Sequence, residues 1–293
     1  MTDPKMFQPR ANYVPRVAAI HDLCGYGKCS LAVVMPVLAA AGIDVCPVPT
    51  ALFSAHTGYP HYTFRDTSED LPAYIDAWQA IDVELDALYS GFLGSGEQIQ
   101  LILDLAERYP SALRFIDPVM GDNGQPYKTY TEAMCQEMKR LAQVAELLTP
   151  NLTEASLLTG LPYEGQAPSQ DLIDRLLDAL LGLGAKHVVL KGIQQGDTVT
   201  NIVASQNGER QSVTGLMHPL RLHGTGDLFC SVLVACLVAG KGLIESTRFA
   251  TELLYQAVEL SSHQPDHQRR GVNFEPLIRD VACFTVDRPH GNR

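Results

Sequence analysis

Short apolar runs break into glycine-bearing polar segments, and these open longer amphipathic stretches; this alternation constrains the fold of the chain most. Arg16-Val-Ala-Ala-Ile20 reads as a buried strand, Leu31 to Ala41 as a helix stopped at Gly42, and Asp44 to Val48 as a second strand. The pattern returns with strands at Ala87 to Ser90, Arg114 to Ile116, Leu147 to Thr149 and His187 to Leu190. Between them, helices are expected over Pro72 to about Asp82, Gly96 to Tyr109 with Ser95 as cap, Thr131 or Glu132 to about Ala145, from Pro150-Asn151, and over Ser169 to Leu183. Thr198 to Ala204 and Gln211 to Met217 read as a strand pair at the sheet's edge, and Leu243 to about His263 as a long helix. The order predicts an α/β fold: a three-layer α/β/α sandwich around a central, mostly parallel twisted sheet with antiparallel edge strands. One domain is expected over 16–286, preceded by a tail or edge cover over 1–15 and followed by a tail over 287–293.

Composition narrows the function classes. At 293 residues, 46% hydrophobic and 19% charged, the chain has the makeup of a soluble globular protein with a sizeable core. A net charge of −11 argues against a nucleic-acid surface but not against a local phosphate site. The seven cysteines are odd in number and contain no Cys-x-x-Cys pair. With no signal-peptide core near the N-terminus and no long apolar span, a cytoplasmic protein without membrane association is expected.

His223-Gly224-Thr225-Gly226-Asp227 opens the apolar run that ends at Ala239. Glycines allow close backbone approach, and unpaired N–H groups at a helix start attract anions. Asp227 one residue inside that start suits proton abstraction from an alcohol; it equally suits a first-turn acid favoured by the helix dipole.

Other chemistry-bearing residues fall at strand ends. Asp22 follows the first strand; the Gly25-Tyr-Gly-Lys28 segment beyond it fits neither the P-loop nor the dinucleotide fingerprint. Phe53-Ser-Ala-His56-Thr57-Gly-Tyr59 has the mixed character of a loop that holds a small flat molecule. Asp117 and Asp122 form an acidic corner of the kind that holds hydrated Mg²⁺, with Glu154 placed to share it, and 122–130 reads as a lid. Lys191 beside Gly192 suits a phosphate contact, while His263 and His267 read as surface residues because Pro265 separates them. Acid for metal, amides for phosphate, a base and an aromatic slot together describe phosphoryl transfer to a small alcohol.

These segments resemble the ribokinase-like superfamily and, within it, the vitamin B6 kinases. Gly224-Thr-Gly-Asp227 is similar to the superfamily's anion-hole motif, with Gly224, Thr225 and Gly226 as the hole and Asp227 as the base. Phe53 to Tyr59 and Ser90-Gly-Phe-Leu-Gly-Ser95 resemble segments specific to the B6 kinases; Asp117 to Asp122 and Thr149-Pro-Asn-Leu-Thr-Glu154 resemble their metal and nucleotide segments. The resemblance implies ATP as co-substrate, Mg²⁺, a monovalent cation such as K⁺, a homodimer, and pyridoxal or a related vitamer as substrate. It implies substrate contacts from Asp22, Phe53, His56, Thr57, Phe92 and His223, nucleotide contacts from Asn151, Glu154, Lys191 and Thr225, and metal contacts from Asp117, Asp122 and Glu154. The chain departs from the pattern in three places: Asp22 replaces a usual Ser, Phe92 a common Tyr, and Lys191 a Thr or Ser. His223 resembles the hydroxymethylpyrimidine kinases instead, which gives the alternative substrate; a non-catalytic B6-binding protein is the alternative from another class.

Overall fold

The computed structural model describes residues 3–128 and 130–286. Its strands and helices run in the order β1 (Arg16–Cys24), α1 (Leu31–Ala40), β2 (Asp44–Phe53), β3 (Phe64–Asp66), α2 (Leu71–Ala80), β4 (Ala87–Ser90), α3 (Gly96–Arg108) and β5 (Leu113–Ile116). There follow β6 (Gly121–Asp122), β7 (Gln125–Pro126), α4 (Glu132–Val144), β8 (Leu147–Leu148), α5 (Leu152–Thr159), α6 (Gln170–Leu183), β9 (His187–Gln195), β10 (Thr198–Ser205) and β11 (Arg210–Leu216). The chain closes with α7 (Thr225–Val238), α8 (Leu243–Ser262), α9 (His267–Arg270) and α10 (Ile278–Thr285).

Nine strands form one sheet in the order β11-β10-β9-β8-β5-β4-β1-β2-β3. The strands from β9 to β2 pair in parallel, and β10, β11 and β3 add antiparallel edges. β1 lies between β2 and β4, so the chain leaves it first to one side and then to the other. Such a reversal opens a crevice beyond the carboxyl ends of the strands. Successive residues of β1 face opposite layers: Val17 and Ala19 pack with α1, α7 and α8, whereas Ala18 and Ile20 pack with α2 to α6. α7 is buried at every position from Leu228 to Val238, as a helix enclosed on all sides must be.

The caps explain several boundaries. Ser95, Thr131 and Ser169 each accept a backbone N–H three residues on, and Asn151 and Glu154 form a reciprocal capping box. α8 begins after Gly242, which has no side chain to cap it. The N-terminal segment supplies one: Asp3 accepts the N–H groups of Ile244 at 2.6 Å and Glu245 at 2.9 Å, and the Pro4 carbonyl accepts that of Leu243. Residues 3–15 are therefore a packed strap, with Met6 and Phe7 against the core, and not a free tail.

Periodicity underestimated three strands. β1 continues to Cys24, β2 to Phe53 and β9 to Gln195. Lys191 and Gly192 thus lie within β9, where Gly192 has φ +84° and its N–H reaches Asn201 Oδ1 at 2.9 Å. The expected lid carries the β6–β7 hairpin, turned at Asn123 (φ 53°) and Gly124 (φ 76°). Thr129 of that segment and the tail over 287–293 lie outside the described residues.

Candidate active site

The glycine turn lies against the crevice, and its shape is forced. Gly224 adopts φ +80°, and a Cβ there would stand 1.9 Å from the Lys28 carbonyl oxygen. The backbone between β1 and α1 therefore packs directly on the turn, tied further by Lys28 N–H to Arg270 O and by the Lys28–Glu275 ion pair. The first intrahelical bond of α7 runs from Leu228 N–H to Gly224 O, leaving the N–H groups of Thr225, Gly226 and Asp227 outside the helical ladder. Thr225 closes the turn by donating its hydroxyl to Leu222 O at 3.1 Å. Gly226 faces open space: apart from its chain neighbours and the backbone of its own helix, nothing lies within 4 Å of the place a side-chain methyl would take.

Asp227 is partly buried. Its carboxyl is pushed up to about 7, first by burial and then by the Asp22 and Asp117 carboxylates, against the Ser30 N–H and Lys191. Ser30 holds the arrangement together. Its N–H serves Asp227 while its hydroxyl donates to Asp22 Oδ1 at 2.5 Å. To do both, Ser30 takes φ 51° and ψ −134°, a backbone conformation that costs a non-glycine residue on the order of 1–3 kcal/mol. Burial raises the Asp22 carboxyl as well, opposed by the Ser30 and Cys24 hydrogen bonds. Neither Ser30 nor its role was legible in sequence, where Asp22 reads as an isolated acid.

The acidic corner differs from its expected form. Lys191 Nζ lies 2.5 Å from Asp117 Oδ1, and Thr149 donates its hydroxyl to the same oxygen at 3.2 Å. Burial pulls the Lys191 ammonium down, but Asp117 and its other anionic neighbours outweigh it and hold it well above its ordinary value. Glu154 accepts the N–H groups of Asn151 at 2.7 Å and Met120 at 3.4 Å; its buried carboxyl is raised by loss of water, with Lys191 opposing. Asp122 is exposed on the hairpin and accepts from Asn123. Among the described residues, these three carboxylates do not form a cluster of ligand atoms within 4.8 Å of one another. The Asn151 side chain donates to Gly121 O at 3.0 Å and accepts from Glu154 N–H, and Thr153 accepts Gly124 N–H at 2.8 Å, so the start of α5 anchors the hairpin.

The aromatic side of the crevice is built from β1, β2 and β4. Phe92 follows β4 and meets Tyr130 edge-on, with ring centres 6.2 Å apart. Phe53 ends β2 and packs on Phe64 and Tyr62. The His56 ring stands 4.5 Å from that of His223, bringing two segments of distant sequence together. His56 Nδ1 accepts the Gly58 N–H, so the proton sits on Nε2 and is donated to Arg269 O at 2.7 Å. Both nitrogens are thereby committed to backbone, which leaves the face and edge of the ring toward the crevice. Thr57 is exposed beside it, and burial, with His56 nearby, lowers the pKa of His223.

A mostly parallel sheet with a switch point and a buried helix opened by a glycine turn, with a carboxylate in its first turn, define a ribokinase-like α/β kinase fold. Comparison with known proteins narrows the class. The chain belongs to the phosphomethylpyrimidine kinase family, which matches residues 35–273, and its relatives include vitamin B6 kinases. A pyridoxal kinase of Haemophilus influenzae is 32% identical, with 70% of this chain and 75% of that protein covered. A Bacteroides thetaiotaomicron protein described as a phosphomethylpyrimidine kinase, in a crystal form with pyridoxal, superposes with a TM-score of 0.86 at 32% identity, covering 94% of this chain and 98% of that one. Pyridoxal kinase from Lactobacillus plantarum gives 0.86 at 30% identity, covering 92% and 98%.

Proposed function

We propose that this protein transfers the γ-phosphoryl group of ATP to the 5′-hydroxymethyl group of pyridoxal, and of pyridoxine and pyridoxamine, giving pyridoxal 5′-phosphate in salvage of the vitamin. The observation that carries the reading is Asp227, raised to about 7 at the mouth of α7, beside three N–H groups that the helix leaves unused. A base poised near the working pH combines a large deprotonated fraction with a strong pull on the alcohol proton. As the alcohol oxygen attacks, Asp227 takes its proton, and the N–H groups around Gly224, Thr225 and Gly226 stabilise the charge on the transferring group. Each such donor is worth on the order of 3 kcal/mol in the transition state.

In this reading Asp22, held by Ser30, pairs with the protonated ring nitrogen of the vitamer, with Phe53, Phe92, Thr57, His56 and His223 around the ring. Asn151, Glu154, Lys191 and Thr225 line the nucleotide side, where the ammonium of Lys191 offsets the charge of Asp117. The hard oxygen donors of Asp117, Asp122 and Glu154 fit Mg²⁺ held largely through water and nucleotide phosphates. Bound there, Mg²⁺ would neutralise phosphate charge, and a monovalent cation such as K⁺ beside the turn would add to that. The β6–β7 hairpin, hung on the start of α5, is positioned to exclude water. A cytoplasmic homodimer is part of the proposal: Leu52, Tyr62 and Phe64 leave an apolar patch at the β3 edge. Light scattering on the purified protein tests the dimer.

The second reading, phosphorylation of hydroxymethylpyrimidine, is supported by the family match and by His223. Parallel measurement of kcat/KM on pyridoxal, pyridoxamine and hydroxymethylpyrimidine separates the two. A preference of about tenfold or more for the pyrimidine, some 1.4 kcal/mol, would overturn the choice. Binding of pyridoxal without phosphate transfer would leave only the non-catalytic reading.

A further inference from the structure

We propose that Asp22, Cys24 and Cys29 form a binding site for a thiophilic divalent cation of the zinc type, and that filling it withdraws Asp22 from the substrate crevice. Cys24 is the last residue of β1, and Cys29 stands across the turn that follows. Their sulfurs are 3.1 Å apart, and Cys24 Sγ lies 3.4 Å from Asp22 Oδ2. One ligand atom from each residue falls within 4.8 Å of the other two, an arrangement found nowhere else among the described residues.

The turn that sets this spacing is fastened at both ends. Gly25 N–H bonds to Phe53 O at 2.8 Å and Lys28 N–H to Arg270 O at 2.9 Å. Asp22 is oriented from behind: Ser30 holds Oδ1 at 2.5 Å, which leaves Oδ2 turned to the sulfurs. A neighbour that fixes a ligating group in this way is a regular part of metal sites. Cys24 is buried while Cys29 is partly exposed, so an ion can enter from the Cys29 side.

Two thiols and a carboxylate select the metal. Sulfur donors favour Zn²⁺ and its softer analogue Cd²⁺ over Mg²⁺, and three protein ligands leave a fourth tetrahedral position for water. Binding converts two thiols and one divalent ion into a dithiolate complex and releases two protons, with no change of oxidation state. The site is separate in place and in donor chemistry from the oxygen-lined corner at Asp117 and Glu154. Its inhibitory consequence rests on the proposed kinase activity; its existence does not.

The test uses the full chain, reduced and stripped of metal, titrated with Cd²⁺. The expected result is a thiolate-to-cadmium charge-transfer band that saturates at one equivalent, with two protons released per ion and no competition from Mg²⁺. Cys24→Ser and Cys29→Ser should each weaken binding by at least the roughly 10–100-fold that loss of an outer-shell partner costs. Cys283→Ser, at an exposed cysteine outside the cluster, should bind as the parent does. In the kinase assay, Zn²⁺ should raise KM for pyridoxal but not for ATP, and not in Cys24→Ser. Absence of the band, its persistence in both single variants, or loss of two thiols without metal through disulfide formation would overturn the site. Binding with an unchanged KM for pyridoxal would overturn the withdrawal of Asp22. A metal-free protein with no transferase activity would overturn the kinase reading, while the titration would still decide the site.

Discussion

Lys191 Nζ stands 2.5 Å from Asp117 Oδ1, with the two side chains only 13% and 3% exposed. The contact joins β9 to the segment after β5, across the short β8 between them. Removing one member of such a pair leaves the other charged and without water, which costs about 3–5 kcal/mol. Lys191→Met should therefore lose stability on that order in urea unfolding. Lys191→Met combined with Asp117→Asn should regain most of it, and a double-mutant cycle with no coupling would refute the pairing.

Asp227 sets activity against stability. Its carboxyl, at about 7 in the folded chain, lies above its ordinary 3.8, so between these values the native state binds the proton more tightly than the unfolded state does. Its contribution favours folding below about pH 4 and is lost as pH rises through 7. Asp227→Asn should then gain about 1–2 kcal/mol at pH 8, screening by partial exposure keeping it below the full linkage value. The same variant should lose about 10²-fold or more in kcat with KM little altered. In the parent enzyme, kcat should rise with pH through about 7. An Asn variant as active as the parent would remove Asp227 from the base role.

Gly224 and Gly226 look equivalent in sequence and should fail differently. A methyl group at Gly224 meets the Lys28 carbonyl at 1.9 Å on a backbone at φ +80°, so Gly224→Ala should unfold or destabilise the protein by several kcal/mol. At Gly226 the methyl enters open space within a helix, where Ala is preferred over Gly by roughly 0.5–1 kcal/mol. Gly226→Ala should keep or raise the melting temperature yet lower kcat, since that space is where the phosphoryl group is proposed to sit. Unchanged kcat in a stable Gly226→Ala would move the anion hole elsewhere.

His21 places an acid limit on the fold. The ring is fully buried against Tyr89, edge to face at 4.5 Å, and neither nitrogen has a partner among the described residues. Burial lowers its pKa to about 3, whereas in the unfolded chain it titrates near 6.5. As pH falls below 6.5 the unfolded state takes up a proton that the native state refuses, so His21's own contribution falls by up to about 1.4 kcal/mol per pH unit down to pH 3, against the opposite contribution of Asp227. His21→Gln should remove that slope from urea-unfolding data between pH 6.5 and 4. A slope that persists would assign the acid sensitivity to other groups.

Local patterns were readable where one segment decides its own structure. Ala87 to Ser90, the Ser95 cap and the helix opening after Pro150-Asn151 follow from side chains within a few residues of each other. β3, β6 and β7 escaped because two or three residues carry no period, and their pairing depends on partners elsewhere. In the site, the motif at Gly224 to Asp227 announced itself through its glycines. What it could not announce was who its neighbours would be. Ser30 reaches Asp227 from the start of α1, His56 is pinned by the carbonyl of Arg269, and Lys191 answers Asp117 across 74 positions of sequence. Such contacts are set by topology, and only the assembled sheet brings their members together.

Asp3 binds the start of α8 some 241 positions away, which gives the chain's two halves an unequal part in its assembly. The strap precedes its partner helix by nearly the whole of the described chain. Until Ile244 and Glu245 are in place, Asp3 has nothing to cap, and the cost of closing so long a loop must be met by the sheet and α7 packing beforehand. Seated on the start of α8, the strap holds that helix against α7, whose opening turn carries Asp227, so Asp3 and Pro4 latch the helix layer behind the candidate base.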